Sequence, residues 1–173
     1  MRILGIDPGT ATTGYGIVES DLNGSSKVLE WGLIETDKNN FIQNRLESIY
    51  KETLILIKKT KPDLFVMEKV FFATNAKTVI AVSQAQGALL LAASITKLKV
   101  IEYAPGTIKK IITGNGRAKK KDIQHCIRKI LGNHVKSKKH KKTHFDNAAD
   151  ALAVALTHAI ISEGSKIPEH KIS

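Results

Sequence analysis

The chain has 173 residues, with 27 Lys and Arg against 16 Asp and Glu and a formal charge of +11. Its 42% hydrophobic and 25% charged residues match ordinary globular usage and exclude wholesale disorder. The length sits within the roughly 100–200 residues of one domain and leaves little over for a second. The lone cysteine, Cys126, excludes an internal disulfide framework and points to a reducing compartment.

The opening Arg2-Ile3-Leu4-Gly5-Ile6-Asp7 is a short apolar run that meets Pro-Gly-Thr, the pattern of a buried strand entering a turn. Thr13 to Glu19 reads as a second strand, in a hairpin with the first. Val28 to Thr36 alternates as a third strand, after the turn residues Asn23-Gly24-Ser25-Ser26. Ile42, Leu46, Ile49, Tyr50, Leu54 and Ile57 recur at helical spacing, so Phe41–Lys59 is an expected amphipathic helix ended by Pro62. Asp63 to Glu68 is a fourth strand, again apolar and again closed by a carboxylate.

After Phe71-Phe72 comes the polar segment Ala73–Ala76, then a long expected helix over Lys77–Thr96. Within it Val79–Ile95 is the most apolar stretch, but Ser83, Gln84 and Gln86 make it too short and polar to span a bilayer. Val100–Tyr103 is a fifth strand, followed by two short helices over Gly106–Ile112 and Lys120–Leu131. A basic loop over Gly132–Lys142, a last helix over His144–Ser162 and a mobile tail over Gly164–Ser173 complete the chain. With no basic leader before an apolar run, the expectation is a soluble, cytoplasmic protein without a membrane partner. Three strands, then helices and strands in alternation, predict an α/β protein with a mixed β-sheet of about five strands flanked by helices, which suits the ribonuclease H-like architecture.

The charge is unevenly placed. Lysines cluster at 109–110, 119–121 and 136–142, a local basic field of the kind a phosphate-backbone reader needs. A Lys-rich surface that serves only solubility is the competing explanation.

Four acidic residues stand at the ends of expected elements: Asp7 and Glu68 close strands, and Asp146 and Asp150 lie on the first turns of the last helix. Carboxylates drawn together from distant positions repel unless a cation sits among them, and hard oxygen donors favour Mg²⁺ or Mn²⁺. Two such ions about 3.5–4 Å apart can activate water and stabilise a leaving oxygen in phosphodiester cleavage. Each residue also has a purely structural explanation. Asp7 suits the first position of an Asp-Pro-Gly turn, and Glu68 suits a solvated strand end. Asp146 lies three residues after Thr143, where it can complete a capping box. Asp150, set among Ala148, Ala149, Ala151 and Ala153, is hardest to explain by packing.

An ordered set of motifs carries a resemblance. Gly5-Ile6-Asp7-Pro8-Gly9-Thr10 with Thr13-Gly14-Tyr15-Gly16, then Met67-Glu68-Lys69-Val70-Phe71, then the run from Ala148 through Asp150-Ala151-Leu152-Ala153 to Thr157-His158 resemble the RuvC family of Holliday-junction resolvases. Ser83-Gln84-Ala85-Gln86-Gly87, Glu102-Tyr103-Ala104-Pro105 and Thr113-Gly114-Asn115-Gly116 fall between them in the same order. The resemblance covers nearly the whole chain and implies a single nuclease domain over 1–163, with 164–173 as the tail.

What the resemblance implies can be placed residue by residue. Asp7 corresponds to the central carboxylate expected to bridge metal ions, Glu68 to the second ligand and Asp150 to the acidic residue of the last helix. Lys109 and Lys120 fall where the family keeps basic residues near the scissile phosphate, flanked by Lys119 and Lys121 as DNA contacts. Phe71 corresponds to the aromatic side chain set against unstacked bases, with Phe72 for either DNA or the core. One departure stands out: Asn147 occupies a position where the family has a carboxylate or sometimes a histidine. Asparagine can ligate Mg²⁺ through its carbonyl oxygen but brings no charge, and Asp146 is the alternative ligand.

The implied function is a homodimeric, Mg²⁺-dependent endonuclease with two ions per site. It would cut four-way DNA junctions in recombination and repair, leave 5′-phosphate ends, and work beside a branch-migration complex. A junction-binding module with cleavage impaired by Asn147 is the alternative. Gly-Ile-Asp-x-Gly-Thr also opens the phosphate hairpin of actin-like ATP-binding proteins, but those close a second domain over the nucleotide and this chain is too short for that.

Overall fold

A computed structural model describes residues 1–21, 25–69, 76–131, 142–162 and 164, with the backbone alone for 76–78, 131 and 142–147. The described elements are β1 (Arg2–Asp7), β2 (Thr12–Ser20), β3 (Ser26–Glu35), α1 (Ile42–Thr60), β4 (Leu64–Glu68), α2 (Ala76–Ile95), β5 (Lys99–Tyr103), α3 (Pro105–Thr113), α4 (Lys120–Leu131) and α5 (Lys142–Ser162). This is the expected order. The last helix begins two residues before the expected His144. The expected basic loop over 132–142, apart from Lys142, and the tail beyond Gly164 lie outside the described residues.

The strands form one sheet in the order β3-β2-β1-β4-β5. β1 pairs antiparallel with β2 and parallel with β4, and β4 pairs parallel with β5. β1 is the central strand, and its sequence explains why: Ile3, Leu4 and Ile6 are all fully buried, as a strand covered on both faces requires. Alternation splits these side chains between two cores. Leu4, Ile6, Phe65 and Met67 pack with α1 and α2 on one face, while Ile3, Leu64 and Val66 pack with α3, α4 and α5 on the other.

α1 buries Ile49, Leu56 and Ile57 and ends where Lys61 turns left-handed, its N–H donating to the Ile57 carbonyl. Pro62 then prevents continuation. α5 achieves the closest packing. Ala148, Ala149, Ala151, Ala153, Ala155 and Ala159 are all buried, so little side-chain bulk separates this helix from β1 and β2. Gly5 completes the fit, since an added Cβ there would stand 2.7 Å from the Ala155 amide nitrogen. No helix of the described residues is long and apolar enough to cross a membrane.

Candidate active site

Asp7 and Glu68 stand at the C-terminal ends of neighbouring parallel strands, just beyond the paired residues Ile6 and Met67. The alternation that buries Ile3, Leu64 and Val66 against α5 puts Asp7 and Glu68 on the same face of the sheet. α5 presses on that face and brings Asp150 to the two strand ends. The three expected carboxylates, 61 and 82 residues apart in sequence (68 minus 7; 150 minus 68), are thereby brought close enough to repel one another.

The two lysines arrive on separate helices. Ala104-Pro105 starts α3, with Pro at its first turn, where the missing N–H costs nothing. α3 carries Lys109 and ends at Gly114, whose φ of 77° is the left-handed conformation glycine adopts freely. The turn beyond is held by its own side chains: the Asn115 N–H donates to Thr113 Oγ1 and the Arg117 N–H to Asn115 Oδ1. Asp122 then accepts from the Lys119 N–H at 2.8 Å, which fixes the start of α4 and sets Lys120 at its first position. Glu68, Lys109, Lys120 and Asp150 form the polar wall of a cavity of about 200 Å³, over an apolar floor that includes Ile108, Ile123, Ala153 and Val154. Lys119 and Lys121 are exposed beside it.

Electrostatics mark this cluster out. Burial, then repulsion from Asp150 and Glu68, push the Asp7 carboxyl up to about 7, against a partial opposing pull from Lys120. Burial and Asp150 likewise raise Glu68, which Lys109 and Lys120 pull back. The Lys120 ammonium lies 2.5 Å from Asp150 Oδ2. As the side chains stand, no three His, Cys, Asp or Glu among the described residues are gathered tightly enough to hold an ion. The donor chemistry nonetheless fits a hard divalent cation: three oxygen-only groups converge, and their mutual repulsion is what such an ion relieves.

Asn147 and Asp146 lie on α5, about one turn before Asp150, within the stretch described by its backbone alone. Phe71 and Phe72 lie outside the described residues. One pairing near the site was not anticipated. The Tyr103 hydroxyl is hydrogen-bonded to Nδ1 of His158 at 2.8 Å, and Tyr103 sits beside Glu68 in the β4–β5 ladder. A histidine following the apolar run Ala151–Leu156 is the available signal, but nothing in the spacing names its partner.

Comparison with known proteins bears on this site. A family model described as crossover junction endodeoxyribonuclease RuvC matches residues 3–158. The chain is similar to the crossover junction endodeoxyribonuclease RuvC of Fusobacterium nucleatum, at 43% identity over 96% of this chain and 84% of that one. It is also similar to the same enzyme of Caldicellulosiruptor saccharolyticus, at 39% identity over 99% of this chain and all of the relative. Among solved structures it is similar to T. thermophilus RuvC in complex with a Holliday junction substrate, with a TM-score of 0.82, 29% identity, and 95% and 96% of the two chains covered. The mixed five-stranded sheet between two helical layers is thus the ribonuclease H-like fold anticipated from the sequence. The chain belongs to the RuvC family of crossover junction endodeoxyribonucleases.

Proposed function

We propose that this chain resolves four-way DNA junctions by metal-dependent phosphodiester cleavage, with Asp7, Glu68 and Asp150 as the metal-holding carboxylates. The observation that carries the reading is the mutual repulsion of these three groups at one strand-end site, beside a cavity lined by Lys109 and Lys120. Kinship to a RuvC solved with a Holliday junction substrate supports the choice of DNA substrate. The charge of +11 supports a polyanionic partner in general.

Asp7, raised by burial and then by its neighbours, must be deprotonated to serve as a ligand, and Glu68 and Asp150 complete the oxygen donors, with Asn147 able to add a neutral one. Mg²⁺ or Mn²⁺ held there, as two ions, would supply Lewis acidity to the phosphate and an activated water. Lys109 and Lys120 stabilise negative charge developing on the scissile phosphate. The exposed Lys119 and Lys121 hold the strand through its backbone, which positions the DNA without reading its sequence. Phe71 and Phe72 are the candidates for stacking on unpaired bases.

A second copy of the chain completes the assembly, because a two-fold junction needs two matched sites and a C₂ dimer supplies them. α2 supports this reading: Ile80, Leu91 and Ile95 expose 61%, 53% and 57% of their surface. The test is incubation of the purified protein with a synthetic four-way junction and with linear duplex of the same sequence, with Mg²⁺ or with chelator. Symmetric nicks in the junction, only with Mg²⁺, are expected. Binding without nicks at any Mg²⁺ concentration would favour the junction-binding module instead.

A further inference from the structure

Lys120 stands in an unusual electrostatic position for a residue needed by a phosphate. Its ammonium lies against Asp150 at 2.5 Å, and it lowers both Asp7 and Glu68 as well. Lys120 thus acts on all three carboxylates, while Lys109 acts on Glu68. The two partners differ in freedom. The Asp150 side chain is 19% exposed and anchored on the tightly packed α5, while the Lys120 side chain is 54% exposed at the start of α4. The lysine can leave; the carboxylate cannot.

Resting on the metal-site reading above, we propose that Lys120 is a built-in placeholder cation, which neutralises the carboxylate cluster before metal arrives and is displaced from Asp150 by the incoming ion. Displacement frees the ammonium at the wall of the cavity, where the phosphate of the DNA strand would lie. Loading of the metal and capture of the phosphate are thereby coupled through one side chain. The ion pair holds the cluster together in the metal-free protein at the cost of weaker metal affinity.

The coupling is testable without DNA and without cleavage. Mn²⁺ alone is titrated calorimetrically into the intact protein, wild type against Lys120→Gln, Lys120→Arg and Lys121→Gln. If the pair must be broken for metal to bind, Lys120→Gln binds Mn²⁺ about fivefold more tightly, the equivalent of a modest ion pair. Lys120→Arg keeps a competing cation and stays near wild type, and Lys121→Gln, which removes the same charge one residue away, gains much less. In metal-free buffer Lys120→Gln unfolds at a lower temperature than wild type, and saturating Mn²⁺ narrows the gap. Mn²⁺ affinity in Lys120→Gln that is unchanged, weaker, or raised only as far as in Lys121→Gln overturns the placeholder role while leaving the metal site intact. Failure of every form to bind Mn²⁺ overturns the metal-site reading and this inference with it.

Discussion

The Tyr103 hydroxyl stands 2.8 Å from Nδ1 of His158, a clip between the end of β5 and α5 about two helical turns from Asp150. Tyr103 is also the ladder partner of Glu68, and its carbonyl accepts from the Lys69 N–H at 2.9 Å. The clip thus ties the strand ends at the site to the helix that delivers Asp150. Tyr103→Phe removes the hydroxyl and leaves a largely buried imidazole nitrogen without its partner. We expect a stability loss of about 1–3 kcal/mol in urea unfolding at pH 7.5.

The same pair gives stability a pH dependence of known sign. Burial, then Lys99, hold His158 below the ordinary histidine value of 6.5. The unfolded chain therefore takes up this proton at a higher pH than the folded one. Stability from neutral His158 is complete above pH 6.5 and declines as pH falls from there toward the lower, folded value. His158→Gln should lower stability at pH 7.5 but flatten its decline between pH 7 and 5.5. An equally steep decline in both proteins would contradict the assignment.

Gly5→Ala tests how the fold positions the site. The new Cβ would meet the Ala155 amide nitrogen at 2.7 Å and the Ala155 Cβ at 2.8 Å, and a helix backbone cannot turn aside. We expect a cost of about 3 kcal/mol, the upper end for overpacking, and a cleavage rate that falls further than the folded fraction as Asp150 is pushed from the strands. At Gly16 the nearest obstacle is the end of the Leu152 side chain, Cδ2, at 2.6 Å, so Gly16→Ala should cost less.

Much of this arrangement was legible in the sequence because it rests on local pattern. The unbroken apolar run Ile3-Leu4-Gly5-Ile6 marks a strand buried on both faces, and it is the centre of the sheet. Asp7 and Glu68 could be singled out as carboxylates ending apolar strands, and Asp150 as a charge without a packing explanation. The Tyr103–His158 and Lys120–Asp150 pairs were not legible. They depend on how far α5 slides along the sheet, which is set by the steric fit of Gly5 and Gly16 against Ala155 and Leu152 rather than by any spacing rule. α5 begins at Lys142, two residues before the expected His144, so Thr143 lies inside the helix rather than at its N-cap and the expected capping box with Asp146 does not form.

Asn147 offers a test by gain of function. Positions three apart on a helix share a face, so Asn147→Asp would add a charged hard donor beside Asp150. We expect a faster junction cleavage and a lower Mg²⁺ requirement, read from rates across a Mg²⁺ series. Asp146 lies beyond the first turn of α5 and is not placed to cap it, so Asp146→Ala should change stability by less than about 0.5 kcal/mol, with little change in rate. The reverse pattern would make Asp146 the working ligand.

Charge at Asp7 should weigh on the metal-free fold. Its folded value of about 7 against an ordinary 3.8 means that the folded state holds this proton more tightly. The stability it contributes is complete below pH 3.8 and lost as pH rises through about 7. With chelator present, Asp7→Asn should therefore melt above wild type at pH 8, and the advantage should shrink at pH 5. Equal melting temperatures at pH 8 would show that burial and its carboxylate neighbours do not raise Asp7 as described.

The most direct measurement compares wild type and Asp7→Asn on one labelled four-way junction, with cleavage in Mg²⁺ and gel-shift affinity in chelator read from the same preparations. The account predicts that Asp7→Asn binds the junction about as tightly as wild type and yields no nicked product, because the substitution removes metal-holding charge and leaves the basic surface intact. Nicking by Asp7→Asn at the wild-type rate would contradict the assignment of the site.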